Sequence, residues 1–190
     1  RGAGKAFVAG ADIKFFINNI KNKTINNNIS FTRKGHELLL RIENSKKVTI
    51  ALLHGLSLGG GSELPLSAQA IVATPAGSMG FPETGIGIYP GLGGMIRFAR
   101  HVGAELAKYY VFTGKSIKAD EAYELGIITK LVPPDGLDNA IKEVVAAGKP
   151  DKYRKRTIPS KYDSYIKMCT GRNIDKMLAG SKPEGVDNEL

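Results

Sequence analysis

Two carboxylates stand where chemistry is possible. Glu63 lies in Leu58-Gly59-Gly60-Gly61-Ser62-Glu63-Leu64. Glycines between a strand and a helix let backbone amides come close to a bound group. The first amides of a helix lack an internal acceptor and sit at the positive end of its dipole, a place to hold a developing oxyanion. Glu83 lies in Phe81-Pro82-Glu83-Thr84-Gly85-Ile86-Gly87, an apolar, turn-rich setting in which desolvation can tune its proton. Facing one another, two such groups could divide general-base and general-acid work. Taken alone, each residue also fits an ordinary purpose: Glu63 as a first-turn cap, Glu83 as a surface turn residue, the glycines as turn geometry. Spacing leaves open whether the two carboxylates meet.

The elements around them predict an α/β chain, since strands alternate with helices. Ala6-Phe7-Val8-Ala9 reads as a strand, and the Asn-rich stretch over 18–29 as a mobile loop. Apolar residues at 31, 38, 39 and 42 have helical spacing up to Lys46. Val48 to Leu53 and Ile71 to Thr74 read as buried strands, and Met79 to Phe81 as a shorter one. Pro90-Gly91-Leu92-Gly93-Gly94 is a second glycine turn before a helix holding Ile96, Phe98 and Ala99. Further helices are expected from Ala104 to Phe112 and Ala119 to Leu125, then a strand from Ile127 to Val132. Past the Pro133-Pro134 stop the chain turns helical and basic, with an amphipathic stretch at 137–147. Residues 1–134 are expected to form the core and 135–190 a helical appendage.

Composition narrows the classes. The chain has 190 residues, 42% of them hydrophobic and 24% charged, which points to a globular protein. No apolar run approaches the roughly 18–20 residues of a membrane helix. One cysteine, Cys169, cannot form an internal disulfide, and no secretory signal is visible, so a cytoplasmic setting is expected. Cys169 reads as structural. Three isolated histidines give no metal-ligand spacing: His54 reads as packed and hydrogen-bonded, while His36 and His101 fall on helical stretches. The glycine turns match neither a dinucleotide nor a P-loop fingerprint. A net charge of +9 favours anionic partners, the phosphates of coenzyme A or nucleic acid among them. Residues 149–167 carry seven basic and two acidic residues interleaved with Tyr153, Tyr162 and Tyr165. A solvated face or a phosphate contact explains that pattern more readily than base stacking.

Several spaced motifs together carry a resemblance. They are Ala9-Gly10-Ala11-Asp12-Ile13-Lys14, His54-Gly55 with Gly59-Gly60-Gly61-Ser62-Glu63-Leu64, and Pro82-Glu83 through Gly85, Gly87, Pro90-Gly91 and Gly93-Gly94. Phe112-Thr113-Gly114-Lys115 through Gly126-Ile127-Ile128 continues the series. In this order, over about residues 2–133, they resemble the enoyl-CoA hydratase/isomerase (crotonase) family. The resemblance implies a spiral of ββα turns and an acyl-CoA substrate whose thioester carbonyl is held by two backbone amides, here those of Ala11 and Gly60. It implies one water gripped between Glu63 and Glu83, the first activating it and the second supplying the C2 proton. Ala9, Asp12, Ile13 and Gly91 would lie near the substrate, with Gly91 opening its helix. Asp12 also suits a purely turn-fixing role.

Such chemistry, water added across a conjugated thioester, needs an oxyanion hole, a group to direct water to C3 and a group to protonate C2. Two carboxylates and two amides suffice, so no metal and no cofactor beyond the coenzyme A of the substrate is expected. By this resemblance hydratases carry both glutamates and isomerases often keep only one, so the pair Glu63 and Glu83 favours a hydratase, with enoyl-CoA isomerisation as the alternative. A basic RNA-binding or scaffolding relative is a further one. The family also implies a homotrimer or homohexamer. Arg1-Gly2-Ala3-Gly4-Lys5 reads like the turn after a strand, so early strands are expected to be missing from this chain. An upstream dehydrogenase domain or a companion chain could supply them.

Overall fold

The computed structural model describes residues 1–154 and 156–170. Two sheets organise the molecule. One holds β1 (Ala6–Val8), β3 (Leu56–Leu58), β5 (Ser78–Gly80) and β6 (Ile117–Lys118) in that order; the other holds β2 (Ile50–Leu53), β4 (Ala70–Ala73) and β7 (Lys130–Leu131). All pairings are parallel except that of β5 with β6. From β1 to β5 the chain visits the sheets alternately. β2 and β3 lead into α3 (Gly60–Ser67); β4 and β5 lead through a 3-10 turn (Pro82–Ile86) into α4 (Gly94–Val102) and α5 (Ala104–Thr113). This is the predicted α/β class and the repeating ββα pattern.

Burial follows from the residue types. All four residues of β4 are buried, which is why Ala70-Ile71-Val72-Ala73 has no polar alternation. Leu53, Leu66, Phe81, Phe98, Tyr110 and Ile128 are fully enclosed in the main core. There the Phe81 ring lies 5.3 Å from Phe98, and Phe98 lies 5.9 Å from Tyr110. A second cluster forms where α7 (Leu137–Ala147) lays Leu137, Ala140 and Val144 on Ala70 and Val72 of β4. α6 (Ala119–Glu124) and α8 (Asp163–Met168) complete the described helices.

Several expectations need correction. The Asn-rich stretch is not a loop: α1 (Ile13–Lys21) and α2 (Asn26–Glu43) run through most of it. Its asparagines form a network instead of turns. Asn19 donates to Asn28 at 2.7 Å, Asn27 donates to Asn19 at 3.1 Å, and Asn28 donates to the Phe16 carbonyl at 3.3 Å. Side chains that satisfy one another no longer compete with the helical backbone. β3 was not anticipated, because Leu56-Ser57-Leu58 is too short to show a period. The strand expected over 127–132 shrinks to Lys130–Leu131, while Ile127 and Ile128 enter the core. The helix after the second glycine turn opens at Gly94, with Gly93 as its cap, rather than at Gly91. The basic segment expected over 135–190 lies beyond the described residues after residue 170.

Candidate active site

Parallel pairing of β1 with β3 sends residues 9–12 and residues 59–62 out of the same end of one sheet. Gly59 adopts φ 54°, a left-handed conformation that a side chain disfavours. Gly61 lies so close to β1 that a methyl group there would stand 2.0 Å from the Val8 carbonyl oxygen. Ser62 then locks the turn: its hydroxyl reaches the Ser57 carbonyl at 2.8 Å and the Gly80 carbonyl at 2.9 Å, and accepts from the Gly80 amide at 3.0 Å. The start of α3 is thereby fixed to β3 and β5, with Gly60 at its first helical position. Its amide has no intrahelical acceptor. Ala11 follows Gly10, which packs against the Leu58 carbonyl, so the amides expected to form an oxyanion hole leave adjacent strand ends.

Glu63 is 1% exposed, within the first turn of α3. Its Oε1 accepts from the amides of Leu92 and Gly94, each at 2.7 Å. Such short bonds to a carboxylate are charge-assisted. Burial pushes the Glu63 carboxyl above the ordinary range, while those amides, and more weakly His36 and Arg97, oppose the rise. Glu83 sits in the 3-10 turn and is held differently. Its Oε2 is buried and has no hydrogen-bond partner among the described residues. Desolvation, with a contribution from the Glu63 charge, pushes its carboxyl up to about 7.

The glycine turn brings the two together. A methyl group on Gly59 would lie 2.7 Å from Glu83 Oε1, and one on Gly60 would lie 3.9 Å from Glu63 Oε2. The carboxylates therefore flank consecutive glycines. One is anchored through peptide amides, and the other has an oxygen without a hydrogen-bond partner among the described residues. Two nearby carboxyls in unlike surroundings can take opposite acid–base roles.

The remaining expected residues fall nearby with less direct engagement. Ala9, Asp12 and Ile13 lie on the segment leaving β1. The Asp12 carboxylate accepts from the Lys14 amide at 2.9 Å as the cap of α1, which is the turn-fixing role. Gly91 lies in the turn before α4, next to Leu92. The His54 ring nitrogens lie 3.0 Å from the Gly4 carbonyl and 3.3 Å from that of Leu52, so this histidine is packed and bonded as expected. His101 rests on the Tyr153 ring, with centroids 4.9 Å apart. Cys169 is buried. Among the described residues no group of His, Cys, Asp and Glu could hold a metal ion.

The tyrosines of the basic segment are engaged internally. Tyr153 donates to Glu43 at 2.9 Å, Tyr162 is 1% exposed, and Tyr165 stacks on Tyr109 at 4.2 Å. Among the described residues no helix is long and apolar enough to cross a membrane. Sequence reasoning missed the amides of Leu92 and Gly94. Their signal was the Gly93-Gly94 pair before a helix, the same pattern that marks Gly59-Gly60.

Comparisons with known proteins agree with this fold. A family model described as enoyl-CoA hydratase/isomerase matches residues 1–183. The short-chain-enoyl-CoA hydratase of Clostridium acetobutylicum is 41% identical over 146 residues, 75% of this chain and 54% of that protein. The crotonyl-CoA hydratase of Syntrophomonas wolfei is 38% identical over 140 residues, 74% of this chain and 52% of that one. The chain thus spans about half the length of these curated relatives. The crystal structure of an enoyl-CoA hydratase from Thermoplasma volcanium is similar, with 34% identity and a TM-score of 0.68 over 94% of this chain and 69% of that one. One from Bacillus anthracis gives 33% identity and a TM-score of 0.66 over 76% and 55%. With the motifs, the two alternating sheets and the matched sequence in agreement, the chain belongs to the enoyl-CoA hydratase/isomerase family.

Proposed function

We propose that this chain carries the catalytic pair for reversible hydration of a 2-enoyl-CoA to a 3-hydroxyacyl-CoA. The observation that carries the reading is the pair itself. Glu63 and Glu83 bracket Gly59 and Gly60, the first anchored by two amides and the second pushed up to about 7. Glu63, ionised, takes a proton from a water whose oxygen bonds to C3. The electron pair of the double bond moves onto the thioester oxygen, where the amides of Ala11 and Gly60 stabilise the enolate. As the enolate collapses, C2 takes the proton held by Glu83. The proton gained by Glu63 replaces the one Glu83 gave up, so one turnover consumes one water and no other reactant.

The names of the relatives, a short-chain-enoyl-CoA hydratase and a crotonyl-CoA hydratase, support an acyl-CoA substrate. Ala9, Asp12, Ile13 and Gly91 surround its approach in this reading, and the net charge of +9 suits the phosphates of coenzyme A. No metal takes part. Assembly into a homotrimer or homohexamer belongs to the same proposal.

The test is the absorbance of the conjugated thioester of crotonyl-CoA, which hydration removes. A steady loss of that band with this chain, slowed about 10²–10⁴-fold in the Glu63→Gln variant, is the expected result. An unchanged band sinks the reading. If the band instead grows from a 3-enoyl-CoA, the activity is isomerisation.

A further inference from the structure

Beneath the turn that grips Glu63 lies a cation that the proposed chemistry does not use. Arg97, on α4, is 4% exposed. Its Nη1 donates to the Leu92 carbonyl at 2.9 Å, and its Nε and Nη2 each lie 2.9 Å from Glu43 Oε2 at the end of α2. The other oxygen of Glu43 accepts from the Tyr153 hydroxyl at 2.9 Å. Lys152 and Arg100 stand farther off, each 3.9 Å from Glu43 Oε1. Burial alone would raise the Glu43 carboxyl, but Tyr153, Arg97 and Lys152 outweigh it and hold it below its ordinary value.

The position of the Arg97 bond matters. The peptide it clamps joins Leu92 to Gly93, between the two peptides whose N–H groups hold Glu63 Oε1. The turn wraps closely round the guanidinium, since a methyl group on Gly93 would lie 2.8 Å from Arg97 Nη1. A planar guanidinium bonded at three nitrogens has little freedom to rotate. A buried ion pair is also a poor source of net stability, because desolvation offsets most of its attraction. The arrangement is better suited to fixing geometry than to stapling helices.

We propose that Arg97 is a positioning residue. Through the Leu92 carbonyl it holds the turn whose amides orient the Glu63 carboxylate, and Glu43 and Tyr153 fix the guanidinium in place. The catalytic consequence rests on the reading of Glu63 as the group that activates water; the geometric claim does not. Its charge acts in the same direction, favouring ionised Glu63.

The test follows the amide protons of Leu92 and Gly94 by NMR as pH is varied in the full chain. Both should report one titration step that disappears in Glu63→Gln. In Arg97→Gln that step should move to higher pH, and in Arg97→Lys, which keeps the charge but cannot make the three-nitrogen grip, it should stay displaced; a return to the native midpoint in Arg97→Lys would mean that charge alone acts and would overturn the positioning role. If Arg97 merely staples helices, Arg97→Gln lowers the unfolding temperature and leaves the midpoint where it was. That result overturns the proposal. Should Arg97→Gln not fold, Tyr153→Phe decides: a smaller shift in the same direction is expected, and an unmoved midpoint overturns it. Where the native chain hydrates crotonyl-CoA, Arg97→Gln should lower kcat on the order of 10²-fold with KM little changed. A native chain that leaves crotonyl-CoA untouched defeats the hydratase reading, while the amide titration still decides the role of Arg97.

Discussion

At the scale of single residues, the site depends on two glutamates treated unequally by their surroundings. Replacing either Glu63 or Glu83 by Gln keeps the shape and removes the proton chemistry. Hydration is expected to fall about 10²–10⁴-fold in each, measured on folded variants. Glu83, pushed up mainly by desolvation, also makes stability depend on pH. Its carboxyl rises from 4.5 in the unfolded chain to about 7 in the fold, so between those values the folded state binds the extra proton. That contribution is complete below about 4.5 and is lost as pH climbs through about 7. Glu83→Gln should therefore flatten the decline of unfolding temperature between pH 5 and pH 8. The difference should be about 1–2 kcal/mol, since the partial exposure of this group screens the full linkage value.

At the scale of elements, the glycine turn and the asparagine network carry the position of the site. Gly61→Ala would put a methyl group 2.0 Å from the Val8 carbonyl oxygen, backbone against backbone, with no flexible side chain to yield. β1 must then part from β3, and the expected cost is about 1–3 kcal/mol in a denaturant titration. Activity should fall as well, because residues 9–12 leave with β1. Asn19→Ala removes the acceptor used by Thr24 and Asn27 and the donor used by Asn28. Buried polar groups left without partners cost about 1–3 kcal/mol. Faster amide exchange confined to α1 and α2 is the expected signature; uniform exchange throughout would contradict a local role for the network.

At the scale of the whole molecule, apolar surface remains in view. Ile13, Ile17 and Ile20 form an exposed stripe along α1, and Phe31, Leu38 and Leu40 are exposed on α2. These spacings would ordinarily bury a helix face. The stripes leave room for the assembly proposed above, and a clean monomer in light scattering would count against it. The charged cluster around Glu43 acts at this scale too. It joins the end of α2, α4 and the segment carrying Lys152 and Tyr153, elements far apart in sequence.

Much of the molecule is decided locally. The buried apolar run of β4, the glycine turn before Glu63 and the stops at Gly114 and Gly126 follow from residue type and spacing, whereas β2, expected to be buried on both faces, leaves Ile50 and Leu52 half-buried. The motif order along the chain identified the family and singled out Glu63 and Glu83. Local signals misled where side chains found distant partners. The asparagines of 18–29 favour loops unless, as here, they bond to one another across two helices. Leu56-Ser57-Leu58 becomes a strand only because β1 and β5 lie on either side of it. The placing of both glutamates beside Gly59 and Gly60 and the grip of Leu92 and Gly94 on Glu63 come from tertiary structure alone. So does the reach of Arg97 to Glu43. Each joins residues tens of positions apart, and hydrogen bonding and desolvation between them act through space once the sheets have closed.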